Sequence, residues 1–386
     1  MAADSLSSAD IVVEAGSLIG EHLVGGWSLL ESESTVLRAR TGSGRSVIIK
    51  LVTDIGFDDP GHHGAPQRFL NEWAGLEFLA TVGVTDAAPS VVAASAESGL
   101  LVLEDLGAHP SLKAVLLHGD GPQARSGMSR FGETLGRLHG ATAGHEPGFR
   151  EVQDRLGTGS PRSDTTVDQR TRRDLFRACF DAAGHSMSTA LWRSVVDVEE
   201  LIHGPSPFRV LTHADSGPQN FLLTPDGGRL IDFEYCVYRN GLTDVAGARL
   251  GFPQTVDSMR VPPGDAELLE TAYRGSIESR VPECGDDRVF DSALEAACAH
   301  WALNRVAAAW RLHVEPRLEA LGSLPQFEAE RLAKTSLQVE GFAQLAETRG
   351  GLEELAVVLR ACDSHWRGLW PEIGEVDVYP ALRNGA

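Results

Sequence analysis

THADSGPQN at residues 212–220 and LIDFE at residues 230–234 are the two stretches that decide the fold of this chain. They set Asp215 five residues before Asn220, and Asp232 twelve residues after Asn220, each at the end of a short apolar run. Asp and Asn are also common turn formers, so the alternative is a polar loop before a solvent-exposed hairpin. The spacing of two carboxylates and one amide nevertheless favours a site for chemistry.

Phosphoryl transfer requires the side chains that these stretches supply. A carboxylate orients and deprotonates the attacking hydroxyl, and oxygen ligands hold Mg²⁺ on the ATP phosphates. Asp215 is the candidate base, and Asn220 and Asp232 are the candidate metal ligands. Glu234 lies on the same side of its strand as Asp232 and is a candidate ligand of a second Mg²⁺ or its water. His213 is interpreted as bracing the loop by hydrogen bonds rather than transferring protons.

A lysine in an apolar strand is the second informative feature. Of 34 basic residues, three are lysines, and Lys50 lies inside SVIIKLV at 46–52. Its ammonium is predicted to bind the ATP phosphates, and a desolvated charge requires a partner. Glu72 is the candidate partner, because it stands within the apolar stripe of the next helix. The alternative is a lysine that extends to solvent at a strand edge and a glutamate at the stripe's margin.

The periodicity of the chain predicts an α+β fold with two lobes. A small β-rich lobe spans residues 1–105, with strands at 27–30, 35–38, 46–52, 91–93 and 100–103 and one helix at 66–80 after the third strand. A hinge follows at about 104–107, and a large, mainly helical lobe spans 106–386. Its predicted elements are helices at 129–139, 173–201, 268–276, 291–313, 327–346 and 352–360, a hairpin joining 221–224 to 229–233, and a polar loop or insertion at 151–170.

Composition excludes several classes of protein. A net charge of −20 argues against nucleic acid as a partner and permits a cationic acceptor. No apolar run approaches the length that spans a membrane, and the first residues lack the features of a signal peptide. Five scattered cysteines without a CxxC pair predict reduced thiols in a cytoplasm. No GxxxxGK[ST] motif is present, which removes the P-loop route to ATP.

The pattern HxDxxxxN at 213–220, followed by IDFE at 231–234, resembles the aminoglycoside phosphotransferase and choline kinase-like family, small-molecule relatives of protein kinases. VIIK at 47–50 is similar to its phosphate-binding strand, and Asn71-Glu72 to its partner helix. LVLEDL at 101–106 is similar to its hinge, and LGRLH at 135–139 to a helix common in the family. Three positions depart from the family, which usually has Gly at Ala214 and an apolar residue and Gly at Ser216 and Gln219.

The resemblance implies a protein-kinase-like bilobal fold that uses ATP (or GTP) and Mg²⁺. It implies transfer of the γ-phosphate to a hydroxyl of a small molecule, such as an aminoglycoside, an amino sugar or another hydroxylated metabolite. The hinge backbone at Glu104 and Leu106 would hold adenine, and Asp244 would brace the catalytic loop. ESES at 31–34 lies where a loop could cover the phosphates, so Ser32 and Ser34 are candidate contacts.

Two other functions remain open at this point. One is a nucleotide-binding regulatory protein of the same fold without transfer, and the other is a transferase that moves the nucleotide itself. The acceptor is not identified by the sequence. Its candidate walls are the acidic segment 283–287 and the predicted helix 291–313 with Trp301, Arg305 and Trp310, although core packing is the favoured interpretation of the tryptophans.

Overall fold

The structure, a computed structural model, describes residues 8–29, 36–51, 65–158, 169–255, 257–313 and 324–383. The predicted contacts Ser32 and Ser34 lie outside these residues. Half of the predicted polar loop at 151–170, residues 159–168, lies outside them as well.

The amino-terminal lobe is an antiparallel sheet with helices on either side. The chain forms α1 (Ser8–Ile19), β1 (Leu23–Leu29), β2 (Val36–Thr41), β3 (Ser46–Leu51), α2 (Ala65–Thr81), β4 (Val91–Ser95) and β5 (Leu100–Glu104), and the strand order is β1-β2-β3-β5-β4. Five strands with a helix after the third were predicted, and this is confirmed. The first helix was missed, although Ile11 and Ala15 bury its apolar side against the sheet.

Alternation along β3 decides which face of the sheet carries Lys50. Successive side chains of a strand point to opposite faces. Val47 and Ile49 are fully buried in the cluster that includes α1. Ile48 and Lys50 therefore share the other face, which is turned toward the second lobe.

The second lobe is mainly helical. Its helices are α3 (Leu112–His118), α4 (Gly121–Thr142), α5 (Glu146–Leu156), α6 (Gln169–Ala182), α7 (Thr189–His203), α8 (Leu242–Val245), α9 (Pro263–Ile277), α10 (Asp287–His313), α11 (Gln326–Arg349) and α12 (Glu353–Leu369). Helices α4 and α9 pack closely because α4 carries Gly132 and Gly136. A Cβ at Gly136 would lie 2.7 Å from the Tyr273 carbonyl oxygen.

Two sequence-based element predictions in this lobe were wrong. The helix expected at 173–201 is two helices, because the chain turns at Gly184 with φ of 80°. Residues 151–156, expected in a loop, complete α5, which buries Phe149 and Gln153 and exposes most of its polar side chains. A surface helix can be polar on most of its circumference, so composition alone suggested a loop.

Four short strands lie between α7 and α8. They are β6 (Arg209–Thr212), β7 (Phe221–Leu222), β8 (Arg229–Leu230) and β9 (Val237–Asn240), and they pair antiparallel as β6-β9 and β7-β8. The predicted hairpin is present, but its paired part is shorter than expected. After Leu230 the ladder ends, because Asp232 turns the backbone with φ of 72°.

None of the helices among the described residues is long and apolar enough to cross a membrane.

Candidate active site

A cavity of about 340 Å³ lies between the sheet and the helical lobe. Its walls come from β2, β3, the segment after β5 and both stretches quoted at the outset. The polar or charged side chains in its lining include Arg38, Lys50, Glu104, Asn220 and Asp232. Residues that are far apart in the chain therefore meet in one cleft.

Lys50 is held by two carboxylates in this cleft. Its Nζ donates to Glu72 Oε1 at 2.7 Å, to Glu72 Oε2 at 2.9 Å and to Asp232 Oδ1 at 2.8 Å. Burial works against the charge, but the Glu72 and Asp232 carboxylates outweigh it and hold the pKa of Lys50 above its usual value. The ammonium therefore stays positively charged in the cleft between the sheet and the helical lobe.

Asp215 and Asn220 are joined directly. Asn220 Nδ2 donates to Asp215 Oδ2 at 2.9 Å and to the Asp215 carbonyl oxygen at 3.0 Å. Burial, together with the charge of Asp232, raises the pKa of Asp215 to about 7. A carboxylate with such a pKa can exchange a proton near neutrality, which is the property that a general base requires.

Asp244 and His213 hold the loop that carries Asp215. Asp244 accepts hydrogen bonds from the backbone N–H of His213 at 2.7 Å and of Ala214 at 3.2 Å. His213 Nε2 lies 2.9 Å from the Ile231 carbonyl oxygen, and its Nδ1 accepts from the Asp215 N–H at 3.3 Å. This pattern requires the neutral ring with its proton on Nε2, and burial lowers the pKa of His213 accordingly. His213 joins both stretches of the motif.

The backbone at Ala214 adopts the left-handed conformation, with φ of 64°. For an L-residue with a Cβ this conformation costs about 1–2 kcal/mol, whereas glycine adopts it freely. This is a physical reason for a glycine at this position in the family that the sequence resembles. The alanine is tolerated because Asp244 fixes the peptide on its amino-terminal side.

We expect Ala214→Gly to raise the free energy of unfolding by about 0.5–1 kcal/mol, because it removes this strain. Urea unfolding measures the change. Ala178→Gly is the matched control, since Ala178 is exposed inside α6, where glycine lowers stability by about 0.5–1 kcal/mol. A loss of stability at position 214 similar to that at position 178 would contradict the assigned strain.

Glu234 lies beside the cleft, where it pairs with a residue that sequence reasoning missed. Arg68 Nη1 lies 3.2 Å from Glu234 Oε1 and donates to the Tyr235 hydroxyl at 3.1 Å. Asn71 of the same helix donates to the backbone carbonyls of Glu234 and Cys236 at 3.0 and 2.9 Å. The spacing of four between Arg68 and Glu72 on α2 was the available signal, since both then lie on one helix face.

The hinge carries a second missed contact. Arg38 of β2 donates from Nη2 to Asp105 Oδ1 at 2.9 Å, and its Nε lies 2.8 Å from Asp105 Oδ2 as an ion pair. Asp105 also accepts from the Gly107 N–H. The Asp105 side chain is 6% exposed. Glu104 and Leu106, predicted from the sequence, flank it and line the cavity. No pattern in the sequence relates positions 38 and 105.

The side-chain oxygens of Asn220 and Asp232 are suitable ligands for a small, hard cation. Both hydrogen bonds of the Asn220 side chain use Nδ2, so its oxygen remains available as a ligand. The Asp232 side chain is 37% exposed and lines the same cavity. An amide oxygen and a carboxylate oxygen, completed by phosphate oxygens and water, are the ligands that Mg²⁺ prefers.

A second group of possible ligand atoms lies outside the cleft. Atoms of Glu199, His203 and His300 lie within 4.8 Å of one another. Arg172, however, donates to both carboxylate oxygens of Glu199, at 3.1 and 2.7 Å. Burial opposes the charge, but His300 and Arg172 hold the pKa of Glu199 at about 2. Because the guanidinium would repel a metal cation, we interpret this group as an ion-pair network that joins α6, α7 and α10.

Comparison with known proteins agrees with this geometry. A model of the phosphotransferase enzyme family matches residues 30–283, which include the cleft residues from Arg38 to Asp244. No curated protein sequence matches the chain.

Among solved structures, the chain is similar to the amicoumacin kinase hAmiN in complex with AMP-PNP, Ca²⁺ and Ami, at 15% identity and a TM-score of 0.50, over 90% of this chain and 94% of that chain. It is also similar to an aminoglycoside phosphotransferase from Alicyclobacillus acidocaldarius, at 16% identity and a TM-score of 0.46, over 95% and 98% of the two chains. It is similar as well to a choline kinase from Cryptosporidium parvum, at 12% identity and a TM-score of 0.47, over 87% of this chain and 93% of that chain. The predicted kinase-like bilobal fold is confirmed by the family match and the first of these structures.

Proposed function

The chain belongs to the phosphotransferase enzyme family, which confirms the resemblance drawn from its sequence, and on this premise we propose that it is a kinase of a small hydroxylated molecule. The observation that carries the proposal is the contact of Lys50 with both Glu72 and Asp232 in the cleft that Asn220 also lines. Asn220 is hydrogen-bonded to Asp215, so a phosphate-binding cation, two metal ligands and a base are all within one connected site.

In this proposal Asp215 accepts the proton of the acceptor hydroxyl and orients that oxygen for attack. Lys50 binds the nucleotide phosphates, and Glu72 positions Lys50. Asn220 and Asp232 hold Mg²⁺, with Glu234 beside them as a further carboxylate. ATP would supply the phosphoryl group, and Mg²⁺ would neutralise part of the negative charge of the phosphates.

The remaining residues position these groups. Asp244 and His213 keep the loop of Asp215 in place through backbone hydrogen bonds. The backbone of Glu104 and Leu106 binds the adenine, because both residues line the cavity at the hinge. We assign nucleotide binding to residues 1–105 and acceptor binding to residues 106–386, with a hinge at about 104–107, and we place the protein in the cytoplasm, where ATP is available.

The test is transfer of label from ATP carrying a labelled γ-phosphate to a panel of hydroxylated acceptors, with Mg²⁺ present. The mass of the product distinguishes a gain of phosphate from a gain of AMP. Gain of phosphate on a hydroxyl supports the proposal, and gain of AMP assigns the site to nucleotidyl transfer. Binding of Mg-ATP that raises the Tm without transfer to any acceptor assigns the chain to a regulatory role.

We expect kcat/KM to rise with pH up to about 7 and to level off above it. The pKa of Asp215 is raised to about 7, first by burial and then by the charge of Asp232, and the base acts in its deprotonated form. Below the pKa, each unit of pH therefore lowers kcat/KM about tenfold. Initial rates at saturating Mg-ATP between pH 5.5 and 8.5 measure the profile. A constant kcat/KM over this range would contradict the role of Asp215.

A further inference from the structure

A half-buried arginine on α10 lacks a counter-charge. Arg305 donates through Nη2 to the Pro253 carbonyl oxygen at 2.6 Å, and its guanidinium carbon lies 5.8 Å from the centroid of the Trp301 ring. Within the described part of the chain, no carboxylate lies within ion-pair distance of it. A guanidinium keeps its charge at physiological pH, and an unpaired charge that is partly removed from water is unfavourable. Such an arginine indicates a binding site for an anion.

Other cations surround the same segment. The charge of Arg331 on α11 acts on Arg305, whose pKa is lowered by burial and by this neighbour. Lys113 Nζ lies 2.5 Å from Asp257, and Lys334 lowers the pKa of Asp257 further. We name Lys113, Arg305, Arg331 and Lys334 the basic cluster. It contains two of the three lysines of a chain whose net charge is −20.

Two cations of the basic cluster have carboxylate partners: Asp257 pairs with Lys113, and Glu328 lies 3.2 Å from Arg331. Among the described residues Arg305 has no such partner, so it is an uncompensated positive charge in a protein whose net charge is −20. A positive site in an acidic protein attracts an anion over neutral and cationic compounds.

The amide of Gln254, the residue after the Pro253 that accepts from Arg305, indicates a ligand independently of charge. Gln254 follows Pro253, and both its Nε2 and its Oε1 are buried without a hydrogen-bond partner. A buried polar atom without a hydrogen-bond partner is destabilising. A polar ligand seated against Arg305 would supply partners to this amide as well.

The basic cluster lies beside the loop of Asp215. Trp301, one turn before Arg305 on α10, donates to the Thr243 carbonyl oxygen at 2.9 Å, and the next residue, Asp244, holds the loop. On the other side, α3 carries Lys113 and packs against Pro218–Asn220. Helix α3 therefore contacts the segment 213–220 directly, and α10 contacts the residue before Asp244, which holds that segment.

We propose that the acceptor carries a carboxylate or phosphate group in addition to its hydroxyl, and that Arg305 binds this group. The inference rests on the proposed kinase function and narrows its acceptor class to hydroxy acids or sugar and polyol phosphates. The net charge of the chain permitted a cationic acceptor, but the guanidinium of Arg305 favours an anionic one. Gln254 provides hydrogen bonds to the same group.

Matched acceptors test the proposal by turnover. Glycerol, glycerate and glycerol 3-phosphate form one series, and glucose, glucosamine, gluconate and glucose 6-phosphate form another. The anionic members are expected to have a kcat/KM at least tenfold above the neutral and cationic members. In Arg305→Gln, which keeps a donor for Pro253, their KM is expected to rise about 10- to 100-fold, as for loss of a charged hydrogen bond. A preference for glucosamine, or an equal effect of Arg305→Gln on all acceptors, overturns the proposal.

Two further variants separate charge from folding. Arg311→Gln makes the same substitution at an exposed position of the same helix and is expected to leave every KM unchanged. Arg305→Lys keeps the charge and is expected to retain most of the preference for anionic acceptors. If Arg305→Gln lowers the Tm in the absence of ligand, the preference for anionic acceptors is compared between the wild type and Arg305→Lys instead. A loss of preference in Arg305→Lys equal to that in Arg305→Gln assigns Arg305 to structure and overturns its role in binding the acceptor.

A binding measurement makes the proposal independent of turnover. The protein is saturated with Mg²⁺ and a non-hydrolysable ATP analogue, and glycerate or inorganic phosphate is added at low millimolar concentration. Either anion is expected to raise the Tm of the wild type and of Arg311→Gln, but not that of Arg305→Gln. The relative response to the two anions distinguishes a carboxylate acceptor from a phosphorylated one. No response in the wild type to either anion overturns the proposal, whereas failure of the kinase function alone leaves this response intact.

Discussion

Replacing Asp215 by Asn is expected to lower kcat about 10²–10⁴-fold, the contribution of a general base. The asparagine keeps the size of the side chain and an oxygen that can accept from Asn220, so the loop is expected to stay folded. The nucleotide affinity is expected to stay within about twofold of the wild type, because in the proposed site Lys50 and the metal ligands bind the phosphates. Steady-state rates at saturating ATP and acceptor, with the Kd of Mg-ATP, measure both effects.

Asp226→Asn is the matched control for this change. Asp226 lies in the turn between β7 and β8, its side chain is 61% exposed, and it pairs with Arg229 on the surface. Its replacement removes one carboxylate near the site without touching the cleft, and kcat is expected to be unchanged. Full turnover in Asp215→Asn would show that another group takes the proton, or that the acceptor needs no base.

Replacing Lys50 by Met is expected to lower kcat about 10²–10³-fold, as for loss of one donor that stabilises charge in the transition state. Glu72 is 5% exposed on its side chain and would lose its counter-charge, so the free energy of unfolding is expected to fall by about 3–5 kcal/mol. Rates are therefore measured well below the Tm of the variant, with the folded fraction checked by circular dichroism. Arg45→Met, at the exposed residue directly before β3, is the control for loss of a cation.

A double-mutant cycle separates the roles of Lys50 and Glu72. If Glu72 acts through Lys50, the double variant Lys50→Met/Glu72→Gln is expected to be no slower than Lys50→Met alone. It is also expected to recover part of the stability, because the neutral glutamine removes the buried unpaired charge at position 72. Losses of kcat that add in full would show that Glu72 acts independently of the lysine.

Local patterns allowed much of the fold to be predicted. Alternating apolar residues around Lys50 and the turn at Thr41–Gly44 determine β2 and β3, and apolar residues at helical spacing determine α2. These signals depend on neighbours within a few residues. The helix α1 was missed because its apolar side is buried against a sheet face that only the assembled lobe provides. The break at Gly184 was missed because the flanking residues continue a helical pattern.

The residues of the site divide in the same way, into those that local spacing predicts and those that only packing brings together. Asp215, Asn220 and Asp232 could be proposed from spacing, because a motif within about twenty residues constrains its own geometry. The contacts of Arg38 with Asp105 and of Arg305 with Pro253 join positions that are 67 and 52 residues apart. No periodicity relates such pairs, since packing of separate elements brings them together.

The sequence by itself determined which side chains are available for the proposed chemistry, and in which order they occur. The tertiary structure alone decided their partners. It placed Lys50 between Glu72 and Asp232, the latter 182 residues away, and among the described residues it left Arg305 without a carboxylate partner. The physical reason is that a side chain's identity is local, whereas its burial, its charge neighbours and its pKa depend on every element that packs around it.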